Sequence, residues 1–134
     1  MKGFQIIADL HHCACDEALL LYAARLSSTC LKACKHAGLT VVAQAFHQFE
    51  DGSHPGGATG AVVLAESHLA VHTWPELRAV TLDIYACNYN HDNGERVQAL
   101  YNFLYETFQP RQVQKQTLQR GDLNHSFTSG GKNT

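Results

Sequence analysis

The sequence predicts an α+β protein: a two-layer α/β sandwich in which two amphipathic helices cover one face of a largely antiparallel sheet. Two observations carry this prediction. Apolar residues recur with helical spacing in two segments, and the segments around them are short, rich in β-forming residues and bounded by turn signals. A chain of 134 residues suits one domain.

The first half of the chain predicts a strand, a helix and a second strand. Residues 4–10 form the strand, and Asp16 can cap the helix that follows. Gly38 ends this helix, and residues 39–50 are the second strand. Residues 51–60 contain four glycines and Pro55, which predicts a loop. The helical stripe consists of small and apolar side chains: Leu19, Tyr22, Ala23, Leu26, Cys30, Ala33, Cys34 and Ala37.

The second half predicts three strands, a helix and a last strand. The strands are residues 61–65, 68–73 and 79–87, and alternate residues of the third share a face. Asp92 or Asn93 can cap the second helix, and residues 113–120 form the last strand. Residues 1–123 are therefore expected to form one domain, and the polar residues 124–134 a flexible tail. The stripe of the second helix is Val97, Leu100, Tyr101, Leu104 and Phe108.

Composition excludes several classes of function. The net charge of −2 comes without a basic block, so no nucleic acid is expected as a partner. No apolar run is long enough to cross a bilayer, and the first residues do not resemble a signal peptide. The five cysteines are odd in number and irregularly spaced, which is a poor disulfide framework. A reducing cytoplasm is the expected location.

The most informative segment is the string at residues 66–76, which reads Glu-Ser-His-Leu-Ala-Val-His-Thr-Trp-Pro-Glu. Each polar residue alone is more often structural than catalytic. As a whole, the string resembles the self-processing site of the S-adenosylmethionine decarboxylase family in its short prokaryotic form. That family also has a glycine-containing strand before the string and a strand ending in cysteine after it, and both occur here.

The resemblance implies a cofactor made from the chain itself. The Ser67 hydroxyl would attack the carbonyl of Glu66, and the chain would break between residues 66 and 67, leaving a pyruvoyl group in place of Ser67. His72 occupies the position of the base that removes the Ser67 α-proton. The pyruvoyl group would form a Schiff base with the substrate and act as an electron sink during decarboxylation. Cys87 matches the proton donor, and a thiol is mostly protonated at neutral pH.

The resemblance also implies a substrate and a partner. Phe49 matches the aromatic residue that stacks on the adenine of S-adenosylmethionine, and Glu76 matches the carboxylate that binds the ribose. The product would supply aminopropyl groups for spermidine biosynthesis. No metal is implied. The short family members form homodimers in which both protomers line each site.

The chain departs from the family at three places near the string. Thr59 stands where the family has a serine that assists processing. The segment between Phe49 and Thr59 is longer than in the family. Leu77-Arg78-Ala79 replaces a Tyr-Gly-Tyr sequence. These changes leave a related activity open, a pyruvoyl-dependent arginine or ornithine decarboxylase.

Two other classes of function compete with the enzyme. Nine histidines are many for this length, and a cluster of His11, His12, Cys13 and Cys15 could indicate a zinc site. His68 and His72 are four apart, but on a strand that spacing corresponds to about 13 Å, which is too far to share one ion. A non-catalytic binding homologue is the other alternative, and it would remain uncut.

Overall fold

The protein forms one sheet with helices packed against it. The computed structural model describes residues 2–88 and 92–121. The six strands lie in the order β2-β3-β4-β5-β1-β6, and each neighbouring pair is antiparallel. The predicted α+β sandwich is confirmed. In chain order the elements are β1 (Gly3–His11), α1 (Glu17–Leu21), α2 (Ala23–His36), β2 (Val41–Asp51), β3 (His54–Leu64), β4 (Ser67–Trp74), a 3-10 turn (Pro75–Leu77), β5 (Ala79–Cys87), α3 (Gly94–Phe108) and β6 (Gln112–Arg120).

Alternation along the central strands separates two faces of the sheet. In β4, Leu69, Val71 and Thr73 are buried, while the residues between them are only partly buried. The buried side chains join the apolar stripes of α2 and α3 in one core. Burial of a large apolar side chain contributes about 1.5–3 kcal/mol, so the alternation fixes the register of the strands. The other face, here called the open face, carries the side chains of His68 and His72.

The first predicted helix is broken in two. Tyr22 has an extended backbone, with φ −109° and ψ 123°, so α1 ends before it and α2 begins after it. The side chain of Gln48 bridges the break. Its Nε2 donates to the carbonyl oxygen of Leu21 at 2.7 Å, and its Oε1 accepts from the backbone N–H of Ala23 at 2.6 Å. These bonds replace helical ones, because every buried backbone group needs a partner.

The prediction of a loop over residues 51–60 is wrong for most of its length. β2 and β3 form a hairpin that turns at Gly52, whose φ is 66°. The other glycines allow close packing within the strand. A Cβ at Gly57 would lie 2.7 Å from the carbonyl oxygen of Thr73, and a Cβ at Gly60 would lie 2.1 Å from the ring of Phe46. Glycine is required at such close approaches and does not by itself indicate a loop.

The second half matches the predicted order of elements. α3 buries all five residues of its predicted stripe, and β6 pairs with β1. Asn93 is the cap position of α3, but Asp92 supplies the capping bond, accepting from the backbone N–H of Gly94 at 2.9 Å. The predicted flexible tail at residues 124–134 lies outside the described residues.

Candidate active site

The Glu66–Ser67 peptide, the predicted cleavage point, joins β3 to β4. The Glu66 carboxylate is held by one residue, Thr40. The backbone N–H of Thr40 donates to Oε1 at 3.0 Å, and its hydroxyl donates to Oε2 at 3.1 Å. Two bonds to one carboxylate restrict rotation of the Glu66 side chain on the acyl side of the peptide.

The carbonyl oxygen of Glu66 has a donor of its own. The backbone N–H of Cys87, at the end of β5, donates to it at 3.0 Å. Ser67 pairs with Ala86 in the same ladder, so Cys87 lies beside the cleavage point. A fixed N–H aimed at a carbonyl stabilises negative charge that develops on its oxygen. Glu66, Ser67 and Cys87 are called the cleavage cluster below.

Asn93 and Gly3 position Cys87. The Asn93 side chain donates from Nδ2 to the Cys87 carbonyl oxygen at 2.8 Å, and Asn93 is itself buried. Cys87 also pairs with Gly3 of β1. The Cys87 thiol is partly exposed, in contrast to the other four free cysteines, which are buried. It is therefore the cysteine that a small molecule can reach.

Three aromatic rings form a second group, the aromatic cluster, near the other end of β4. The ring of His72 stacks on Trp74 with centroids 3.8 Å apart and an interplanar angle of 17°. Phe49 stacks on His72, with centroids 5.3 Å apart. Burial lowers the pKa of His72, and the charge of Glu76 partly opposes this. The lowered pKa favours the neutral imidazole, which is the form that accepts a proton.

Thr59 and Glu76 lie beside the aromatic cluster. Thr59 pairs with His72 across the β3–β4 ladder, and its hydroxyl donates to the carbonyl oxygen of Val71 at 3.4 Å. Glu76 is exposed in the 3-10 turn that follows β4. The structure thus brings together Phe49, Thr59, His72 and Glu76, four of the seven residues predicted for the site.

The two groups are far apart within one chain. Ser67 begins β4, and His72 follows five residues later in the same strand. At about 3.3 Å per residue the two are separated by roughly 16 Å. His72 therefore cannot reach the α-proton of Ser67 within its own chain.

Sequence reasoning missed several residues that shape the site. Thr40 belongs to no recognised motif, and its contact with Glu66 is visible only in the folded structure. Arg78 has a left-handed backbone, with φ 47° and ψ 48°, at the place where the family has the glycine of Tyr-Gly-Tyr. Its guanidinium group donates from Nε to the Cys13 carbonyl oxygen at 2.6 Å and from an Nη to that of Cys15. A glycine at position 78, as in the family, would have indicated this left-handed conformation from the sequence.

Cys13 and Cys15, from the cluster near the end of β1, are core residues, whereas His11 is partly buried and His12 is exposed. Burial raises the pKa of the Cys13 thiol to about 11, and it also raises the pKa of Cys15. Across residues 2–88 and 92–121, no three His, Cys, Asp or Glu side chains lie close enough together to hold a metal ion. None of the helices described there is long and apolar enough to span a membrane.

Comparisons with known proteins agree with the geometry. The sequence model of the S-adenosylmethionine decarboxylase family matches residues 4–121. An S-adenosylmethionine decarboxylase proenzyme from Acidithiobacillus ferrooxidans is 37% identical over 123 residues, which cover 90% of this chain and 84% of that protein. One from Thermoplasma volcanium is 36% identical over 121 residues, covering 90% and 85%.

A solved structure extends the likeness to the fold. The adenosylmethionine decarboxylase of Aquifex aeolicus superposes with a TM-score of 0.79 at 29% identity, and the match covers 94% of this chain and 96% of that one. The family predicted from the residue 66–76 string is therefore confirmed. The chain belongs to the S-adenosylmethionine decarboxylase family.

Proposed function

We propose that the chain is the precursor of a pyruvoyl-dependent S-adenosylmethionine decarboxylase, which cuts itself between Glu66 and Ser67. The observation that carries the proposal is the cleavage cluster. It holds the peptide through Thr40 on the carboxylate and the Cys87 N–H on the carbonyl oxygen. The comparisons support the same conclusion, because the relatives are named as proenzymes.

The residues of the cleavage cluster fit the self-cutting reaction. Attack by the Ser67 hydroxyl on the Glu66 carbonyl forms a C–O bond, and the C–N bond breaks as the nitrogen takes a proton. The developing oxyanion faces the N–H of Cys87. Loss of the Ser67 α-proton then expels the Glu66 carboxylate and leaves dehydroalanine. Tautomerisation and hydrolysis release ammonia and convert this residue to the pyruvoyl group.

The same cluster fits the mature cofactor. A pyruvoyl group supplies a carbonyl that takes up the substrate amine and the electrons left when CO2 departs. Cys87 lies next to the cleavage point in β5, and its accessible thiol is suited to return a proton to the substrate carbon. Phe49 offers a flat ring for a purine, and the exposed Glu76 offers a carboxylate for ribose hydroxyls. Family membership and these two residues favour S-adenosylmethionine over arginine or ornithine.

We further propose that two copies complete each site. The aromatic cluster holds the base, and the cleavage cluster holds the serine, roughly 16 Å away along β4. A twofold pairing through the open faces would place the aromatic cluster of one copy against the cleavage cluster of the other, and would do so twice. His72 would then act on Ser67 of the partner copy.

Mixed dimers test this arrangement. Ser67→Ala chains cannot be cut, and His72→Ala chains should not mature in their own homodimers. When the two are co-expressed, a His72→Ala chain paired with a Ser67→Ala chain regains a working base opposite its Ser67. Cutting of the His72→Ala chain should reappear, as read by mass spectrometry with distinct tags. Persistent absence of cutting, in dimers shown to be mixed, would argue against action between copies.

The proposed function is tested by intact mass and by assay. Mature protein should consist of a 66-residue piece ending at Glu66 and a 68-residue piece that begins with the pyruvoyl group. Ser67→Ala should remain a single chain, because it lacks the attacking oxygen. Decarboxylation should be measured side by side on S-adenosylmethionine, arginine and ornithine. A wild-type chain that decarboxylates while uncut would disprove the mechanism, and a preference for arginine or ornithine would disprove the substrate.

The proposed location is a reducing compartment such as the cytoplasm. All five cysteines are free thiols. Cys30 and Cys34 lie one turn apart in α2, both fully buried, and burial raises the pKa of Cys34 to about 12. They behave as small apolar core residues.

A further inference from the structure

His68, the residue after the cleavage point, contacts the attacking serine. Its Nδ1 lies 3.4 Å from Oγ of Ser67. On the other side of the ring, its Nε2 lies 3.6 Å from Oδ1 of Asp83. The imidazole therefore stands between a hydroxyl and a carboxylate, the order of groups that activates a serine in many hydrolases. The proposed function assigns no role to either His68 or Asp83.

Gln5 and Arg120 hold the Asp83 side chain in place. Its Oδ1 accepts a bond from Gln5 Nε2 at 2.7 Å, and Oε1 of Gln5 accepts from Arg120 at 2.9 Å. Arg120 also lies over the ring of Tyr85, with Cζ 4.7 Å from its centroid. The Gln5 side chain orients Asp83, and the carboxylate in turn can hold the ring of His68 and stabilise it when it carries a proton.

Strand register explains why these groups meet. His68 pairs with Tyr85 across the β4–β5 ladder, and Asp83 lies two residues further along β5 on the same face. Gln5 pairs with Tyr85 on the other side. Long side chains reach a diagonal neighbour across such a ladder. The array therefore belongs to one copy of the chain, unlike the proposed pairing of Ser67 with His72.

We infer that His68 is the general base of the first step of self-cutting and that Asp83 is its positioning residue; this rests on the proposed function. As Oγ of Ser67 bonds to the Glu66 carbonyl carbon, its proton passes to Nδ1 of His68. The oxyanion faces the Cys87 N–H. When the C–N bond breaks, the same proton passes from His68 to the departing nitrogen. The products are an ester and a free amine, and His68 returns to its neutral form.

This assignment divides proton transfer between two histidines. His68 serves the acyl shift within its own chain, and His72 serves the later removal of the α-proton from the partner copy. A defect at His68 should therefore stop the reaction before the ester forms. A defect at His72 should stop it after the ester forms. Hydroxylamine separates the two cases, because it cleaves an ester and leaves a peptide bond intact.

The central experiment follows cutting of purified His68→Ala precursor by intact mass, with and without hydroxylamine and imidazole. General bases contribute about 100-fold to 10,000-fold in rate, so a slowing within that range is expected. The uncut protein should contain no ester that hydroxylamine can cleave. Added imidazole should restore cutting by occupying the space left by the ring. His54→Ala, at an exposed histidine of the β2–β3 hairpin, is the matched control and should be cut normally.

Two further variants separate catalysis from folding. His68→Gln fills the site with an amide that cannot take up the proton, so it should also remain uncut without an ester, and it decides the case if His68→Ala is unfolded. Asp83→Asn keeps an oxygen for Gln5 but loses the charge, and cutting should slow. In the His68→Ala background, Asp83→Asn should have little additional effect, because the carboxylate acts through the ring.

The outcomes distinguish failure of the His68 assignment from failure of the proposed function. If wild type is never cut, the proposed function fails. If wild type is cut and either His68 variant is cut at the same rate, or accumulates an ester, His68 is not the base. A folded His68→Ala chain that imidazole does not rescue also overturns the assignment. Co-expression with Ser67→Ala should leave His68→Ala uncut, whereas rescue there would show that His68 acts between copies.

Discussion

The backbone N–H of Cys87 donates a 3.0 Å hydrogen bond to the carbonyl oxygen of Glu66. This bond links the residue proposed as proton donor in turnover to the peptide proposed to break during maturation. In the proposed mechanism different atoms of Cys87 serve the two stages: its amide serves cutting, and its thiol serves decarboxylation. Side-chain substitution can therefore separate the stages.

Cys87→Ala should mature but turn over poorly. The amide that faces Glu66 remains in the variant, so two pieces should form. Without the thiol, kcat should fall by about 100-fold to 10,000-fold, the usual contribution of a general acid. Intact mass measures cutting, and CO2 release from S-adenosylmethionine measures turnover. Cys30→Ala, at a buried cysteine of α2 outside the site, controls for loss of a thiol. Near-normal turnover of the cut Cys87→Ala protein would remove Cys87 from the role.

His72 should titrate below the ordinary histidine value of about 6.5. Burial against Trp74 and Phe49 disfavours the charged imidazolium and lowers its pKa, whereas the Glu76 charge raises it. Glu76→Gln should therefore lower the pKa of His72 further. NMR titration of the histidine ring protons in uncut Ser67→Ala protein measures both values. A pKa of His72 at or above 6.5, or an upward change in Glu76→Gln, would contradict the proposed environment.

Phe49→Ala and Glu76→Gln should each weaken binding of S-adenosylmethionine. Stacking of a base on an aromatic ring contributes about 1–3 kcal/mol, so removal of the Phe49 ring should raise KM by about 5-fold to 160-fold. Loss of the Glu76 charge removes an acceptor for ribose hydroxyls. Steady-state kinetics of cut protein measure both effects, with Val42→Ala, at an exposed side chain of β2, as the control. Unchanged KM in both variants would leave the adenosyl assignment without support.

Arg78 should carry backbone strain. A left-handed conformation costs a non-glycine residue about 1–2 kcal/mol. Arg78→Gly and Arg78→Ala both lose the bonds to Cys13 and Cys15, so their difference reports the strain. In uncut Ser67→Ala protein, the glycine variant should be more stable by about 1 kcal/mol in urea unfolding. Ala24→Gly, at an exposed position of α2, should instead make the protein less stable, because glycine destabilises a helix relative to alanine. Equal stability at position 78 would contradict the strain.

Local patterns predicted the antiparallel sheet and both amphipathic helices, because strand alternation and helical spacing depend only on residues that are close in sequence. The break at Tyr22 was not predictable, since the Gln48 side chain that bridges it comes from β2. The glycines of residues 51–60 resembled a loop because the packing that requires them comes from Thr73 and Phe46. The motif predicted roles for Ser67, His72 and Cys87, and these stay predictions, but it did not reveal that one chain keeps Ser67 and His72 apart.

The strand order has a consequence for the protein after it is cut. With the proposed cut between residues 66 and 67, the first piece would contribute β1, β2 and β3, and the second β4, β5 and β6, yet β1 lies between β5 and β6. Three hydrogen-bonded ladders therefore join the two pieces: β3–β4, β1–β5 and β1–β6. The two pieces can dissociate only if all three ladders break. After dissociation they must reassociate as separate molecules, without the high effective concentration that one chain provides. Refolding of the intact precursor should not depend on its concentration, whereas refolding of the cut protein should. The sheet is therefore expected to form in the uncut chain, before the two pieces are made.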